Sequence, residues 1–261
     1  MCITITISSQ KGGVGKTTIS INIAGVLSEI GKKILLVDVD SQCNLSDTFL
    51  QNTNNNKKSV FDLIVDENTQ IEETICKTEF HLIDVISSSP IMSSIDKILA
   101  YEYDAQYILQ EKLIHIKDKY DFIIIDCPPS LSLATISALV SSDYVIIPIT
   151  MDQWSVVGSN KVDLLVQKIK KRLNPKLEIL GYVINRFDSR RNLEKAYFDF
   201  VNSNNHKVFR TFIKISVKYP EAILSKKPVN YLLPTSEQSE TFRNLVWEII
   251  ERCQRKHFIE K

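Results

Sequence analysis

The feature that most constrains the fold is a cluster of glycines between a strand-like and a helix-like segment. Only 7 of the 261 residues are glycine, and three of them are Gly12, Gly13 and Gly15. The apolar run Ile3–Ile7 before them is typical of a buried strand, and Thr17–Ile30 after them is typical of a helix. Glycine is favoured where the backbone needs left-handed angles or must approach another group closely. The cluster therefore predicts a tight strand-to-helix turn built around a ligand.

Lys16 and Thr17 follow the glycines and complete the pattern of a phosphate-binding loop. In such a loop the backbone N–H groups and the helix N-terminus face an anion. The Lys16 ammonium neutralises the β- and γ-phosphates of a nucleotide, and the Thr17 hydroxyl is placed to bind Mg²⁺. The residues of this segment that we expect to hold the nucleotide are Gly12, Gly13, Val14, Gly15, Lys16, Thr17 and Thr18.

Two later strand-like runs end in carboxylates. Asp38 and Asp40 follow an apolar run at 34–37, and Asp126 follows another at 122–125. The carboxyl ends of parallel strands meet at the edge where α/β sheets bind ligands, so we expect these side chains beside the phosphate loop. Asp40 would orient the attacking water or hold a water on Mg²⁺, and Asp126 would carry a carboxylate to the metal shell. The predicted Mg²⁺ site is Thr17, Asp40 and Asp126.

The segment after Asp38 also has a purely structural interpretation. An acidic turn that follows a strand can start a helix, and Asn44 or Ser46 would then be the helix cap. Capping and catalysis are compatible, so both interpretations stay open for this segment.

These motifs resemble those of the deviant Walker A ATPases, the group that contains the ParA and MinD families. Gln10 stands where the usual loop has a glycine, and a second lysine, Lys11, precedes the glycines. Residues 38–46 are similar to the ParA pattern Asp-x-Asp-Pro-Gln-x-Asn-x-Ser, with Ser41 in place of the proline. Residues 126–129, Asp-Cys-Pro-Pro, are similar to the Asp-x-Pro-Pro of the same family. The similarity to ParA spans nearly the whole chain.

The resemblance implies an ATPase that uses Mg²⁺ and closes into a homodimer around ATP. Lys11 would reach across that dimer to the partner's phosphates and act with Lys16 and Asp40 in catalysis. Asn185, at a strand end, would read the adenine base with its donor and acceptor pair, and Pro234 would form the other wall. The alternatives are an ordinary surface lysine at Lys11 and a polar strand end at Asn185.

The two parts of the chain carry opposite charge. Residues 1–160 contain 11 lysines and arginines against 20 acidic residues, a net charge of −9. Residues 161–261 contain 21 against 11, a net charge of +10, and hold all eight arginines. The basic part indicates a surface for phosphate backbones or for an acidic partner, although solvated helix faces would give the same count.

The C-terminal part extends the resemblance. Residues 213–222 and 226–229 are similar to the ParA pattern Ile-Pro-Arg, a basic residue before Glu-Ala, and then Gly-x-Pro. Lys214 and Ile215 depart from Pro-Arg, and Lys226 stands in place of the glycine. The resemblance implies that Lys218 lies at a basic position that relatives use to bind DNA without sequence preference. The predicted DNA-contacting residues are Lys214, Lys218, Lys226, Lys227 and Arg190.

Strand and helix patterns alternate along the chain, which predicts an α/β fold of the P-loop NTPase type, a mostly parallel twisted sheet with helices on both faces. We expect residues 1–261 to form a single ATPase domain without an N-terminal helix-turn-helix domain, since the phosphate loop starts near residue 10. The predicted strands are 3–8, 33–38, 81–87, 122–126, 143–150, 177–185 and 208–215. The predicted helices are 17–30, 91–118, 129–141, 155–173, 189–203 and 236–255, with a surface loop at 51–58.

The leading functional hypothesis is a ParA-type partition ATPase whose ATP-bound homodimer binds double-stranded DNA nonspecifically. By resemblance, a ParB-like centromere-binding partner would stimulate hydrolysis and release the dimer. The protein would be cytoplasmic and associated with the nucleoid when ATP-bound. No apolar stretch approaches the roughly 18 residues that span a bilayer, and no stable membrane association is expected.

A MinD-like ATPase that positions division sites or protein clusters is the alternative. It would need a C-terminal helix whose apolar face is free for lipid. A stripe with helical spacing is present, but such a stripe more often packs on the sheet. Its members are Phe242, Leu245, Val246, Ile249 and Ile250.

A third hypothesis is an iron-protein-like reductase, which would need two exposed cysteines near the dimer axis. Cys43 and Cys127 both follow the predicted carboxylates, but Cys127 directly adjoins Asp126 and is too close to the nucleotide. The five cysteines are scattered without metal-ligand spacing, which favours reduced thiols in a cytoplasmic protein.

Overall fold

The computed structural model describes residues 2–50, 57–150, 159–188 and 207–259, which contain a seven-stranded sheet. The strands lie in the order β3-β4-β2-β5-β1-β6-β7, and every neighbouring pair is parallel except β3 with β4. The predicted α/β fold with a mostly parallel sheet is therefore confirmed. The strands are Ile3–Ile7 (β1), Ile34–Asp38 (β2), Ile75–Lys77 (β3), Ile83–Ile86 (β4), Phe122–Asp126 (β5), Tyr144–Thr150 (β6) and Glu178–Asn185 (β7).

Helices cover both faces of this sheet. They are Lys16–Glu29 (α1), Asn44–Phe49 (α2), Val60–Val65 (α3), Ile95–Ile98 (α4), Ile108–Ile114 (α5), Leu133–Val140 (α6), Ser159–Arg172 (α7), Lys218–Leu224 (α8), Val229–Leu232 (α9) and Glu237–Ile259 (α10). One face packs against α1 and α10, the other against α3, α5 and α6, and α7 covers the end that holds β6 and β7. Every residue of β2 and β5 is buried, as expected for parallel strands covered on both sides.

The apolar stripe of α10 packs into the core. Phe242, Leu245, Val246 and Ile249 are fully buried in the cluster that also holds α1, and Ile250 is partly buried against it. The prediction that this stripe packs on the sheet is confirmed. Within the described ranges, no helix has both the length and the apolarity that crossing a bilayer requires.

The single helix predicted for 91–118 is wrong. This segment contains α4 and α5 with short 3-10 turns at Pro90–Ser94, Ala105–Tyr107 and Lys117–Lys119. Asp104 adopts a left-handed backbone with φ 64°, which interrupts a right-handed helix between α4 and α5. The short strand β3 was also missed, because three residues give too little pattern to identify.

The strand predicted for 208–215 is wrong as well. The segment makes only isolated bridges, from Val208 to Tyr182 of β7 and from Lys214 to Phe187, which lies just after β7. Between them, Arg210 N and Thr211 N donate to the Glu248 carboxylate of α10, at 3.0 and 3.2 Å, and so leave the ladder. The helix predicted for 189–203 and most of the loop predicted for 51–58 lie outside the described residues.

Candidate functional site

The glycine-rich turn adopts the backbone that its sequence predicts. Gly13 has φ +74° and Gly15 has φ +90°, both in the left-handed region. A side chain at Gly15 would overlap the amide of Asn185, so this position combines a left-handed backbone with a close approach. Ile19 N donates to Gly15 O at 2.9 Å and starts the hydrogen bonding of α1. The turn therefore enters α1 at the end where helix N–H groups face an anion.

The start of α1 meets the end of β5. Thr17 Oγ1 donates to Asp126 Oδ2 at 2.7 Å, and Ser20 Oγ donates to Asp126 Oδ1 at 2.9 Å. Lys16 is buried, with 6% of its surface exposed. The parallel pairing of β1 with β5 sets Ile7 opposite Asp126, which brings the carboxylate beside the turn. The structure thus joins Thr17 and Asp126, two of the three residues predicted to bind Mg²⁺.

Burial changes the protonation of the carboxyl groups at this edge. It raises the pKa of Asp126 to about 6, although the hydroxyls of Thr17 and Ser20 and the ammonium of Lys16 act in the opposite direction. Burial also raises the pKa of Asp38 to about 7, and the charge of Asp126 adds to that effect. A cation at this edge would offset the unfavourable burial of negative charge.

The donor atoms fit Mg²⁺, which prefers oxygen ligands and keeps several waters. Thr17 supplies a hydroxyl to the ion, and Asp126 supplies a carboxylate that can accept from its waters. In the described part of the chain, no group of three or more His, Cys, Asp and Glu side chains could hold a metal. Mg²⁺ would therefore need phosphate oxygens and water as further ligands, as it does in other phosphate-loop proteins.

Asp40 lies in the loop between β2 and α2, at the same edge as Asp126. Only 8% of its surface is exposed, and its Oδ1 accepts from Gln42 N at 3.0 Å. Its charge contributes to the raised pKa of Asp126, which places the two carboxylates within electrostatic reach. Asp38 lies directly behind it and accepts from Asp40 N at 3.1 Å. The structure therefore places Asp40 near Asp126, and its role in hydrolysis stays a prediction.

Neither Asn44 nor Ser46 is the N-cap of α2. That position is Cys43, whose backbone is left-handed with φ 54°. Ser46 N donates instead to Asp38 Oδ2 at 2.9 Å, so a buried carboxylate satisfies a donor in the first turn of α2.

Asn185 contacts the phosphate loop directly. Its Nδ2 donates to Val14 O at 2.7 Å, and its Oδ1 accepts from Arg186 N at 2.8 Å. Both halves of the amide thus have a protein partner in the structure. Adenine recognition by Asn185 stays a prediction, with the added finding that the amide holds the loop.

Pro234 lies beside the other end of α1. Its carbonyl accepts from Arg243 Nη2 at 2.8 Å, and the same guanidinium binds Glu29 Oε1 at 2.8 Å. Glu29 is the last residue of α1, whereas the phosphate loop precedes its first residue. These contacts give Pro234 no direct connection to the loop, and its adenine contact stays a prediction.

The predicted DNA-contacting lysines flank α8. Lys218 begins this helix, and Lys214 precedes it and pairs with Glu237 at 2.7 Å. Glu237 also responds to the charge of Lys218, since both lysines lower its pKa, with Lys214 the larger influence. Lys226 and Lys227 are exposed just after the helix. Arg190 lies outside the described residues.

Lys226 occupies a backbone position that favours glycine. Its φ is 55°, its N donates to Ile223 O at 2.9 Å, and Lys227 N donates to Ala222 O at 3.0 Å. This pair of bonds is the Schellman motif, in which the left-handed residue after the helix is usually glycine. Lys226, which stands where the family pattern has glycine, therefore has a strained left-handed backbone.

The cysteines do not form the exposed pair that a bridging cluster requires. Cys127 is fully buried, and burial raises the pKa of its thiol well above the ordinary value. Burial also raises the pKa of Cys43 to about 11. Burial thus favours the neutral thiol at both positions.

Sequence reasoning missed two residues of this site. Ser20 lies three residues after Thr17, so helical spacing alone would have placed it on the same face. Asp38 was noted as a carboxylate but received no role of its own, because its contacts with Ser46 depend on how α2 folds back.

Comparisons with known proteins agree with this geometry. A family model described as an AAA domain matches residues 2–179. The sporulation initiation inhibitor protein Soj of Bacillus subtilis is 35% identical over 246 residues, covering 94% of this chain and 97% of Soj. A plasmid partition protein of Borrelia burgdorferi, solved with AMPPNP, is 27% identical with a TM-score of 0.81, covering 98% of this chain and 100% of that one. Cobyrinic acid a,c-diamide synthase of Mycobacterium smegmatis, solved with ADP and magnesium, shares the fold at 22% identity with a TM-score of 0.84, covering 97% and 96%.

Proposed function

Because this chain belongs to the Soj/ParA family of P-loop partition ATPases, we propose that it segregates a cargo by cycles of ATP binding and hydrolysis. In each cycle an ATP-bound homodimer binds DNA without sequence preference, and hydrolysis releases it. One observation carries the proposal: the Thr17 hydroxyl contacts the Asp126 carboxylate beside a left-handed glycine turn that contains two lysines.

Residues 12–18 would hold the phosphates of ATP, with the Lys16 ammonium against the β- and γ-phosphates. Thr17 would bind Mg²⁺, and Asp126 and Asp40 would hold its waters. The metal supplies charge neutralisation to the phosphates when it is bound. The nucleotides in the Borrelia and Mycobacterium structures, and the magnesium in the latter, support this choice of cofactors.

Asp40 would orient the water that attacks the γ-phosphate. Its carboxylate is mostly buried, and Gln42 N binds one of its oxygens at 3.0 Å. A carboxylate held in this way accepts a hydrogen bond from water and fixes the direction of the attack, which is a major part of phosphoryl-transfer catalysis.

The site is proposed to be completed by a second copy of the chain. Lys11 lies at the start of the glycine-rich turn and is half-buried. In the closed dimer each Lys11 would contact the phosphates bound by the other subunit and stabilise the charge that hydrolysis develops. ATP would thus act as part of the dimer interface.

The DNA surface is proposed to lie around α8. Lys214, Lys218, Lys226 and Lys227 lie at its two ends, in the part of the chain that carries a net charge of +10. Two such surfaces in one dimer would double the number of phosphate contacts. Contacts of this kind carry no sequence information and weaken as salt increases.

A ParB-like protein bound to a centromere-like DNA site is the proposed partner. By stimulating hydrolysis, it would release the dimer from DNA and move a plasmid, chromosome region or other cargo along the nucleoid. The free protein would then hydrolyse ATP slowly. Two relatives named chromosome partitioning protein ParA, from Myxococcus xanthus and Caulobacter vibrioides, each match 95% of this chain. Their names support this role.

DNA and liposome binding by the full chain, each measured with ATP and with ADP, tests this proposal. Random duplex DNA should be retarded in a gel only with ATP, and anionic liposomes should not sediment the protein. Sedimentation with liposomes in ATP, without DNA binding, would replace the proposal by the MinD-like alternative. We do not expect sedimentation with liposomes, because Phe242 and Leu245 of the α10 stripe are buried and are not free to enter lipid.

A further inference from the structure

Asp38 fixes both ends of the loop that carries Asp40. It is fully buried at the end of β2, and its Oδ1 accepts from Asp40 N at 3.1 Å. Its Oδ2 accepts from Ser46 N at 2.9 Å and from Ser46 Oγ at 2.7 Å. Asp40 lies near the start of this loop and Ser46 lies in the first turn of α2, so one side chain holds the two ends together.

The loop between these ends is a tight turn. Asp40 Oδ1 accepts from Gln42 N at 3.0 Å, and Asp40 O accepts from Cys43 N at 2.9 Å. Cys43 then adopts a left-handed backbone before α2 begins. The direction of the Asp40 side chain therefore depends on the shape of a turn whose ends are set by Asp38.

Ser46 connects this turn to a third part of the sheet. Its hydroxyl donates to Asp38 and accepts from Ser88 N at 2.9 Å, in the chain that follows β4. Ser46 is 5% exposed and Ser88 is 9% exposed, so these bonds are shielded from water. The hydroxyl thus uses both its donor and its acceptor capacity within the protein.

We propose that Asp38 and Ser46 form a positioning pair that sets Asp40 for ATP hydrolysis, an inference that rests on the proposed ATPase function. Neither side chain acts on the nucleotide itself. A shift of a catalytic group by about 1 Å can cost about 100-fold in rate. Loss of the Ser46 hydroxyl should therefore slow the chemical step while ATP binding is preserved.

The test compares two hydroxyl deletions in α2. Ser46→Ala removes the bond to Asp38, whereas Thr48→Val removes a buried hydroxyl that donates only to Asn44 O at 2.9 Å, within its own helix. For each full-length variant with duplex DNA, we would measure the ATP dissociation constant, the ATP-dependent dimer fraction and the single-turnover rate of hydrolysis. Asp38→Asn serves as a second variant of the same pair.

We expect Ser46→Ala to hydrolyse ATP at least about tenfold more slowly, with its ATP affinity within about twofold of the wild type. Thr48→Val should match the wild type in all three measurements. Wild-type hydrolysis by Ser46→Ala would overturn the inference, and so would an equal loss in Thr48→Val, which would indicate general damage to α2. A wild-type chain that binds but never hydrolyses ATP would instead refute the proposed function.

Discussion

Thr17 Oγ1 donates a hydrogen bond of 2.7 Å to Asp126 Oδ2, across a sequence separation of 109 residues. The hydroxyl proton points at the carboxylate, so the lone pairs of the Thr17 oxygen stay available for Mg²⁺. Asp126 would then orient the Thr17 oxygen from behind, in the way that outer carboxylates orient metal ligands. The same bond connects the phosphate loop to β5, the central strand next to β1.

The stability of the nucleotide-free protein should depend on Asp126. The pKa values of Asp126 and Asp38 are raised above their ordinary value of 3.8, so the folded state holds protons that the unfolded chain releases. The stability that these two groups contribute is therefore fully present below that ordinary value and is lost as pH rises to about 6 for Asp126 and about 7 for Asp38. Urea unfolding of Asp126→Asn should show a smaller loss across this range than the wild type. Asp118→Asn, which changes an exposed carboxylate, should keep the wild-type loss, and an unchanged loss in Asp126→Asn would refute this explanation.

Substitutions of Lys11 and of Lys16 should block different steps, dimer formation and ATP binding respectively. Lys16→Gln removes the charge against the bound phosphates, so ATP binding should fall below detection in calorimetry. Lys11→Ala should bind ATP with nearly wild-type affinity but should not form ATP-dependent dimers in analytical ultracentrifugation. Dimers of Lys11→Ala at wild-type strength would contradict the proposed contact between subunits.

Asp40→Ala should trap the ATP-bound dimer. Removal of the group that orients water should lower the hydrolysis rate by about 100-fold or more, while phosphate contacts of Lys16 are kept. The variant should then stay on DNA after the wild type has dissociated, as followed by fluorescence anisotropy in limiting ATP. Dissociation at the wild-type rate would show that Asp40 is not required for hydrolysis.

Lys226→Gly should stabilise the fold. Glycine adopts the left-handed backbone of this Schellman turn without strain, as Gly31 does after α1, so the free energy of unfolding should rise by about 1 kcal/mol. Lys227→Gly provides the control, because it removes the same charge at the next position, where φ is not positive. It should leave stability unchanged or lower it. Equal effects of the two substitutions on urea midpoints would contradict the assignment of strain to Lys226.

The parts of this protein that could be predicted from sequence are those set by local pattern. The left-handed turn at Gly15 and the meeting of Thr17 with Asp126 follow from a phosphate-loop motif and from apolar strands that end in carboxylates. The edge segment 208–215 could not be predicted, because Glu248 from a distant helix takes the backbone donors that a strand would use. Asp38 likewise gains its contacts only once α2 has folded against β2.

The most direct test of an ATP-dependent DNA-binding dimer is the affinity for DNA with and without ATP across a salt series. The affinity of the full chain for random duplex would be measured with ATP, with ADP and without nucleotide, from about 50 to 200 mM NaCl. We predict binding only with ATP, and the logarithm of the affinity should fall linearly with the logarithm of the salt concentration. For Lys218→Glu, this slope should be shallower by roughly one per subunit. Lys33→Glu, which changes an exposed lysine just before β2, should keep the wild-type slope. Equal affinity with and without ATP, or an affinity that salt does not change, would contradict ATP-dependent binding to DNA phosphates.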